Sequence, residues 1–355
     1  MSVELSKIKI SPTKSSRLPE TDLNNIPFGR VFTDHCFTAC YQNGKWTDLE
    51  IKPLENFSLH PSNLALHYGQ SIFEGMKASS DSDGNPLLFR PEDHAKRLNR
   101  SAARMCMPAF PEDIFIEALT ELVRLDKDWI PKAEGSSLYI RPLMFAMDEF
   151  LGVAPSESYL FIIMLLPVGP YYDKPVKLYA DTEFTRAAIG GTGEAKTAGN
   201  YAASLLPSRL AHQKGYDQIL WLDGKEHKYV QEVGTMNIFF VFEDHIATPA
   251  IDGAILSGIT RQSFITLLRE KGYDVRERPI TITEVMEKGK SGELKEVFGS
   301  GTAAVATVVS EICYKEEVVS FDADRAEIGP MLKETIEGIR MGEIEDTHGW
   351  ILKVK

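Results

Sequence analysis

No C-x-x-C pair occurs among the four cysteines, Cys36, Cys40, Cys106 and Cys313. A chain of 355 residues does not need disulfides to fold, so these read as reduced thiols and place the protein in the cytoplasm. Basic charge is also scarce. Lysine and arginine total 39 against 51 acidic residues, a net charge of −12, which leaves no general surface for tracking nucleic-acid phosphates. The eight histidines form no H-E-x-x-H and no pair at helical ligand spacing, so metal-assisted hydrolysis has no support. Met1 to Arg30 lacks the apolar core of a signal peptide and the arginine bias of a transit peptide, so no export is expected. The longest apolar run, Tyr159 to Val168, is far short of a membrane span, and the chain reads as soluble with no membrane partner.

What is present suits a globular protein: 43% hydrophobic residues beside 25% charged. The length predicts two α/β domains. After Pro91-Glu92-Asp93, the apolar residues Ala95, Leu98, Ala102 and Met105 recur at helical spacing and predict a helix over Asp93 to Met107. Arg97, Arg100 and Arg104 accompany that stripe and read, from pattern alone, as a solvated face. Ser137 to Phe145 and Leu160 to Leu166 are rich in branched and aromatic residues and predict strands, the second buried on both faces. Pro167 to Pro175 holds three prolines and a glycine, which neither a helix nor a central strand tolerates. The predicted division is therefore 1–166, a connecting loop 167–175, and 176–355. Beyond it the pattern predicts a helix over Leu205 to Lys214, strands at Gln218–Leu222 and Met236–Phe242, a helix after Gly258, and a last helix from about Pro330 to Met341.

Gly190-Gly-Thr-Gly-Glu-Ala-Lys196-Thr197 nearly fits the phosphate loop G-x-x-x-x-G-K-[ST], and Ile219 to Asp223 resembles the strand and aspartate that hold magnesium in a P-loop NTPase. Three details oppose that reading. Ala195 stands where the motif has glycine, Asp181 to Arg186 is too polar for a buried strand, and Asn200 is a poor helix former.

Other segments supply the parts of a pyridoxal-phosphate (PLP) site, which needs a Schiff-base lysine, an anion for the pyridine nitrogen and donors for the phosphate. Ser257-Gly258-Ile259-Thr260 opens a helix and can cradle a phosphate, or can be an ordinary N-cap. Phe298 to Ala303 reads as a second small-residue turn able to present backbone amides. Gln231-Glu232 stands at the mouth of an apolar strand, where a carboxylate needs a partner or faces water.

These segments, with Phe28 to His35, Phe73-Glu-Gly-Met-Lys77 and Tyr139-Ile-Arg-Pro142, resemble the branched-chain-amino-acid aminotransferases, the fold-type-IV PLP enzymes. The resemblance runs in order from Phe28 past Ala303. It implies an α/β (α+β) fold with a smaller N-terminal α/β domain, a larger C-terminal β-barrel-like domain with helices, and PLP at the domain interface. It also implies that Lys196 carries PLP and moves the substrate proton, Glu232 pairs with the pyridine nitrogen, Tyr201 bonds the ring oxygen and Leu256 packs on the ring. Arg97, the amides of Ile259 and Thr260, and Thr302 would hold the phosphate.

By the same resemblance, Phe28, Tyr68, Phe73, Tyr139, Arg141 and Tyr171 line the substrate pocket, and the backbone of Thr302 and Ala303 meets the α-carboxylate. Aromatic walls suit leucine, isoleucine and valine, and Arg141 with tyrosine hydroxyls would meet the γ-carboxylate of glutamate. The implied reaction is a reversible ping-pong transamination with 2-oxoglutarate by a homodimer. Some longer members carry C-x-x-C after the Gly-Thr-Ala turn, where this chain has Ala304-Val-Ala-Thr307. D-amino-acid aminotransferase and aminodeoxychorismate lyase use related lysine and glutamate positions; Tyr139-Ile-Arg-Pro and Glu232 to Asn237 favour the branched-chain reading.

Overall fold

A computed structural model describes residues 8–24, 26–133, 135–169 and 174–355. Tyr171 lies outside the described residues. The chain divides into two units, Met1–Tyr171 with Gly338–Lys355, and Tyr172–Glu337. The division falls within 167–175, but the C-terminal segment joins the first unit, which makes that unit the longer one.

The first unit is built on strands β1 (Lys9–Ile10), β2 (His35–Gln42), β3 (Lys45–Pro53), β4 (Ser71–Phe73), β5 (Met76–Ser80), β6 (Pro86–Phe89), β7 (Ser137–Ala146) and β8 (Tyr159–Val168). Their order is β1-β3-β2-β8-β7-β5-β6, and β4 also pairs with β7. The C-terminal strand Ile351–Lys353 pairs antiparallel with β6, Leu352 opposite Leu88, which explains why the chain end belongs here. β8 is buried along nearly its whole length, as its unbroken apolar run predicts. It also runs through Pro167, which pairs with Leu138 beyond the end of the β2–β8 pairing, where a missing N–H disturbs one ladder at most.

Three helices cover this sheet: α1 (Leu64–Tyr68), α2 (Pro91–Arg104) and α3 (Glu112–Leu125). α2 starts with Pro91, whose fixed φ suits a first helical turn, and ends earlier than the periodicity predicts, with Met105 as its C-cap. α3 is an element the sequence reading does not identify. It buries Ile114, Phe115, Ala118, Leu119, Leu122 and Val123, an i, i+4, i+8 stripe, and Phe115 packs 6.0 Å from Phe161 of β8.

The second unit carries β9 (Val176–Ala180), β10 (Gln218–Leu222), β11 (Val230–Val233), β12 (Asn237–Phe242), β13 (Ile246–Thr248), β14 (Val275–Glu277), β15 (Leu294–Gly301), β16 (Val305–Tyr314) and β17 (Glu317–Ser320). The order is β11-β10-β9-β16-β15-β12-β13-β14, with β17 on β16. Leu220, Ile238, Phe240, Val297 and Ile312 form the heart of its core. The helices are α4 (Ala198–Ala203), α5 (Leu205–Gln213), α6 (Ile259–Glu270) and α7 (Ile282–Ser291), and α8 (Ile328–Met341) starts in this unit, its residues from Gly338 being counted with the first. α8 begins two residues before the predicted Pro330. The buried carboxylate of Glu296 accepts hydrogen bonds from the backbone N–H groups of Glu327, Ile328 and Gly329 at 2.9, 2.9 and 2.6 Å, replacing a local cap. Among the described residues, no helix is long and apolar enough to cross a membrane.

Candidate active site

Lys196 sits one residue before the N-cap of α4, at the end of a series of turns. Its Nζ donates to Tyr201 Oη at 2.7 Å, so a loop lysine and a phenol in the first turn of α4, five residues apart, are held together. Asn200 fixes the preceding loop. Its Nδ2 donates to the carbonyls of Thr192 and Ala195 at 2.8 and 2.9 Å, and its Oδ1 accepts from Thr192 Oγ1 at 2.7 Å. The poor helix former is therefore the loop's cross-link. Gly193 packs so closely on a neighbouring segment that a Cβ there would lie 2.1 Å from Ala254 O. Among the described residues no strand feeds the loop, because β9 ends at Ala180, and α4 is too short for a phosphate-loop helix.

Glu232 is aimed by a bulge. The β10–β11 register pairs Leu220 with Val233 and Leu222 with Val230, which leaves Gln231 and Glu232 together opposite Trp221. The two-residue turn Gly234-Thr235 then closes a hairpin, Val233 bonding to Met236 in both directions, and brings Asn237 back beside Glu232. Glu232 is 4% exposed. Its Oε1 accepts from Leu256 N at 2.7 Å and from Asn237 Nδ2 at 3.4 Å, and its Oε2 lies 3.1 Å from Arg186 Nε. Burial pushes the carboxyl up from its ordinary value, and Arg186, the Leu256 amide and Lys196 offset part of that push.

The Arg186–Glu232 contact is close without being well aligned: Nε is buried with no hydrogen-bond partner. A buried carboxylate still pushed up by desolvation suits one further cationic N–H, and a protonated pyridine nitrogen has that chemistry. The donor set therefore fits PLP: Tyr201, which accepts from Lys196, lines a small cavity together with Glu232 and Leu256.

Asn237 links this hairpin to α6. Its Nδ2 donates to Leu256 O at 2.9 Å, and a Cβ on Gly258, the N-cap of α6, would lie 2.0 Å from its Oδ1. α6 begins at Ile259 and has no side-chain cap, and Thr260 is buried in its first turn. Such an N-terminus favours an anion. Phe298 to Gly301 proves to be strand β15 rather than a turn, because it pairs in register with Asn237 to Phe239 of β12. The turn is Thr302 to Ala304, and the Ser300–Asn237 pair sets it at the same sheet end as the Glu232 hairpin.

In the first unit, Arg97 is buried, against its reading as a solvated residue, while Arg100 and Arg104 face outward. Glu74 between β4 and β5 receives it: Arg97 Nε and Nη2 donate to the two carboxylate oxygens at 2.7 and 2.8 Å. His94 Nδ1 and the Gly75 amide complete the carboxylate at 2.8 and 3.2 Å. Phe28, Phe73, Tyr139 and Arg141 also come together. The Phe28 and Tyr139 rings are 5.5 Å apart, Arg141 Nη2 donates to Tyr139 Oη at 3.1 Å, and its guanidinium stands 4.6 Å over Phe73. Tyr139 and Arg141 share one face of β7 at i, i+2 spacing. Tyr68, at the end of α1, is 46% exposed, and its ring lies beside that of the neighbouring His67.

Three residues escape the sequence reading: Glu74 in the first unit, and Arg186 and Asn237 in the second. Glu74 stands inside the Phe73–Lys77 motif, and a buried cation on α2 demands an acid. Arg186 ends the polar segment that argues against a buried strand, and that polarity hides the basic neighbour a buried Glu232 requires.

The family model for amino-transferase class IV matches residues 71–312. Branched-chain-amino-acid aminotransferase 2 of Bacillus subtilis (strain 168) is 48% identical over 359 residues, covering 100% of this chain and 98% of the relative. The branched-chain-amino-acid aminotransferase of Mycolicibacterium smegmatis is 43% identical over 94% of each chain. Among solved structures, the Escherichia coli branched-chain amino acid aminotransferase superposes with a TM-score of 0.76 at 29% identity, covering 91% of this chain and 99% of that one. The T.th. branched-chain amino acid aminotransferase, solved with N-(5'-phosphopyridoxyl)-L-glutamate, gives 0.72 at 28% identity over 89% of this chain and 98% of that one. A hairpin that buries one glutamate, a lysine bonded to a phenol and this agreement over the full length have one reading: the chain belongs to the class IV amino-transferases, among the branched-chain-amino-acid aminotransferases.

Proposed function

We propose that this chain exchanges the amino group of leucine, isoleucine or valine with 2-oxoglutarate, using PLP carried on Lys196, as a cytoplasmic homodimer. The observation that carries this reading is the buried Glu232, pushed up by desolvation, in the same small neighbourhood as a lysine bonded to a phenol. PLP, when bound, supplies an electron-withdrawing ring that accepts negative charge from the substrate α-carbon. Lys196 Nζ, freed once the substrate amine takes its place, would move the proton from that carbon to the cofactor's C4′, and Tyr201 Oη would orient the amine between the two events. Glu232 would hold a proton on the ring nitrogen, and Arg186 opposes the desolvation that pushes the Glu232 carboxyl up.

Anion binding falls to several groups. The first amides of α6 and Thr302 take part of the phosphate charge, and Arg97 takes the rest. Thr302 and Ala303 meet the α-carboxylate through the backbone. Arg141 and Tyr139 meet the glutamate γ-carboxylate, with Phe28, Phe73 and Tyr68 as apolar walls. The relative solved with phosphopyridoxyl-glutamate supports the same pairing of cofactor and amino acid.

The test is the absorbance spectrum of the purified protein, followed by borohydride reduction and peptide mapping. The label is expected on Lys196, and Lys196→Ala is expected to bind PLP weakly without transaminating. A label on another lysine, or near-normal turnover by that variant, refutes the assignment. Leucine, isoleucine, valine and D-alanine compared with 2-oxoglutarate as acceptor test the substrate class, with D-alanine expected to be poor. Sedimentation equilibrium tests the dimer.

A further inference from the structure

Asn237 opens β12 and is 6% exposed, so its side-chain amide depends on the partners that folding supplies. Those partners come from two segments. Its Nδ2 donates to Leu256 O at 2.9 Å and to Glu232 Oε1 at 3.4 Å, while Leu256 N donates to the same Glu232 oxygen at 2.7 Å. The three residues close a ring in which both backbone polar groups of Leu256 are used, and the carboxylate cannot swing without breaking it.

The oxygen of the same amide meets α6. A Cβ on Gly258 would lie 2.0 Å from Asn237 Oδ1, so that oxygen sits against the N-cap of the helix; Arg261 Cβ, at 3.2 Å, is far less close. Gly258 has φ −69° and ψ 132°, a conformation open to any residue, so glycine is required there by the closeness of Asn237 and not by the backbone. The helix is seated on the face of the sheet that carries this amide. Phe239, two residues on from Asn237 along β12, has its ring centroid 6.0 Å from that of Phe264 in α6, and Phe298 of β15 lies 6.1 Å from the same ring.

PLP makes a demand at each end of this arrangement. Its ring nitrogen and its phosphate are joined by one rigid ring and one short arm, so the partner of each has to be held to within about 0.5 Å. Glu232 is directed by its hairpin and α6 by its packing on β12, and the Asn237 amide touches both. On the reading that PLP occupies this site, we propose that Asn237 is a positioning residue that sets the distance from the Glu232 carboxylate to the N-terminus of α6, and so matches the site to the length of the cofactor.

The test is titration of the apo-enzyme with PLP, read by absorbance and by the rise in thermal unfolding temperature that PLP brings. Asn237→Ser removes the amide, while Gly258→Ala drives the amide from its place and leaves every charge unchanged. Each is expected to weaken PLP binding about tenfold or more and to shrink the PLP-dependent rise. A purely structural role would leave that rise intact, because the apo and loaded forms would lose stability together. The double variant is expected to bind PLP as Asn237→Ser alone does, since the new Cβ then meets no amide. Losses that add in the double variant, or single variants that bind PLP within about twofold of the parent, overturn the inference even where the parent carries PLP on Lys196. A parent that binds no PLP overturns it together with the reading on which it rests.

Discussion

Glu74 holds Arg97 by two parallel hydrogen bonds of 2.7 and 2.8 Å, with both side chains buried. A planar guanidinium paired with a planar carboxylate loses both rotation and slide, which a lysine at 97 could not reproduce. The pair therefore sets where a cation at position 97 presents its charge. If Arg97 meets the cofactor phosphate as proposed, Glu74 is the residue that positions it.

Glu74→Gln leaves Arg97 buried without a countercharge, and a loss of about 3 kcal/mol or more in folding stability is expected at neutral pH. Arg97 holds the Glu74 carboxyl well below its ordinary 4.5, although burial alone would raise it. A depressed carboxyl contributes its full stabilisation above the unfolded value and loses it as pH falls. The difference between parent and variant in urea unfolding should thus shrink below pH 4.5. A difference that stays constant down through acid pH would show that the ion pair is not its source. PLP affinity should fall in the same variant, and the more so than turnover at saturating cofactor.

Arg186 opposes the desolvation that raises Glu232. In Arg186→Met the carboxyl is expected to rise further and to protonate at higher pH. The acid limb of the kcat/KM profile should accordingly move toward neutral pH, while the alkaline limb stays in place. An unmoved acid limb would exclude Glu232 ionisation as its cause.

Asn200 tests whether the loop before Lys196 is held by hydrogen bonds or by packing. Asn200→Ala removes three bonds and should cost about 1–3 kcal/mol. Asn200→Asp keeps the volume but turns an acceptor toward the carbonyls of Thr192 and Ala195. It should destabilise at least as much as alanine, the reverse of what a packing role predicts. Thermal unfolding of the two variants decides the matter.

Gly75 lies against Tyr139, which is proposed to meet the substrate: a Cβ there would sit 2.0 Å from Tyr139 Oη. Gly75→Ala must displace Tyr139, and with it the hydroxyl that accepts from Arg141. A raised KM for 2-oxoglutarate is expected, larger than any change in KM for valine, because only the former uses a second carboxylate. Equal changes for both substrates would place the damage elsewhere.

Local chemistry made much of this legible in the linear chain. The apolar run of β8, the Pro91 start of α2 and the stretch Gln218–Leu222 announce their conformations because hydrophobic period and proline geometry act over a few residues. α3 has as clear a stripe, open to the same count. The stretch Phe298 to Gly301 misleads because its glycines suggest a turn, and the strand it forms exists through pairing with β12, about sixty residues earlier in the chain.

Lys196 and Tyr201 stand only five residues apart, so their proximity can be read from the chain once the resemblance names both. The surroundings of Glu232 cannot. Arg186, Asn237 and Leu256 reach it from three separate segments, and the bulge that directs it depends on β10 across the sheet. Charge burial and partner choice are set by what folding brings within a few ångströms, and that Coulombic and desolvation balance is absent from any single stretch of residues. The amino-acid order named the chemistry, and the fold chose which of three arginines on α2 is buried, which acid holds it, and which base opposes the desolvation of Glu232.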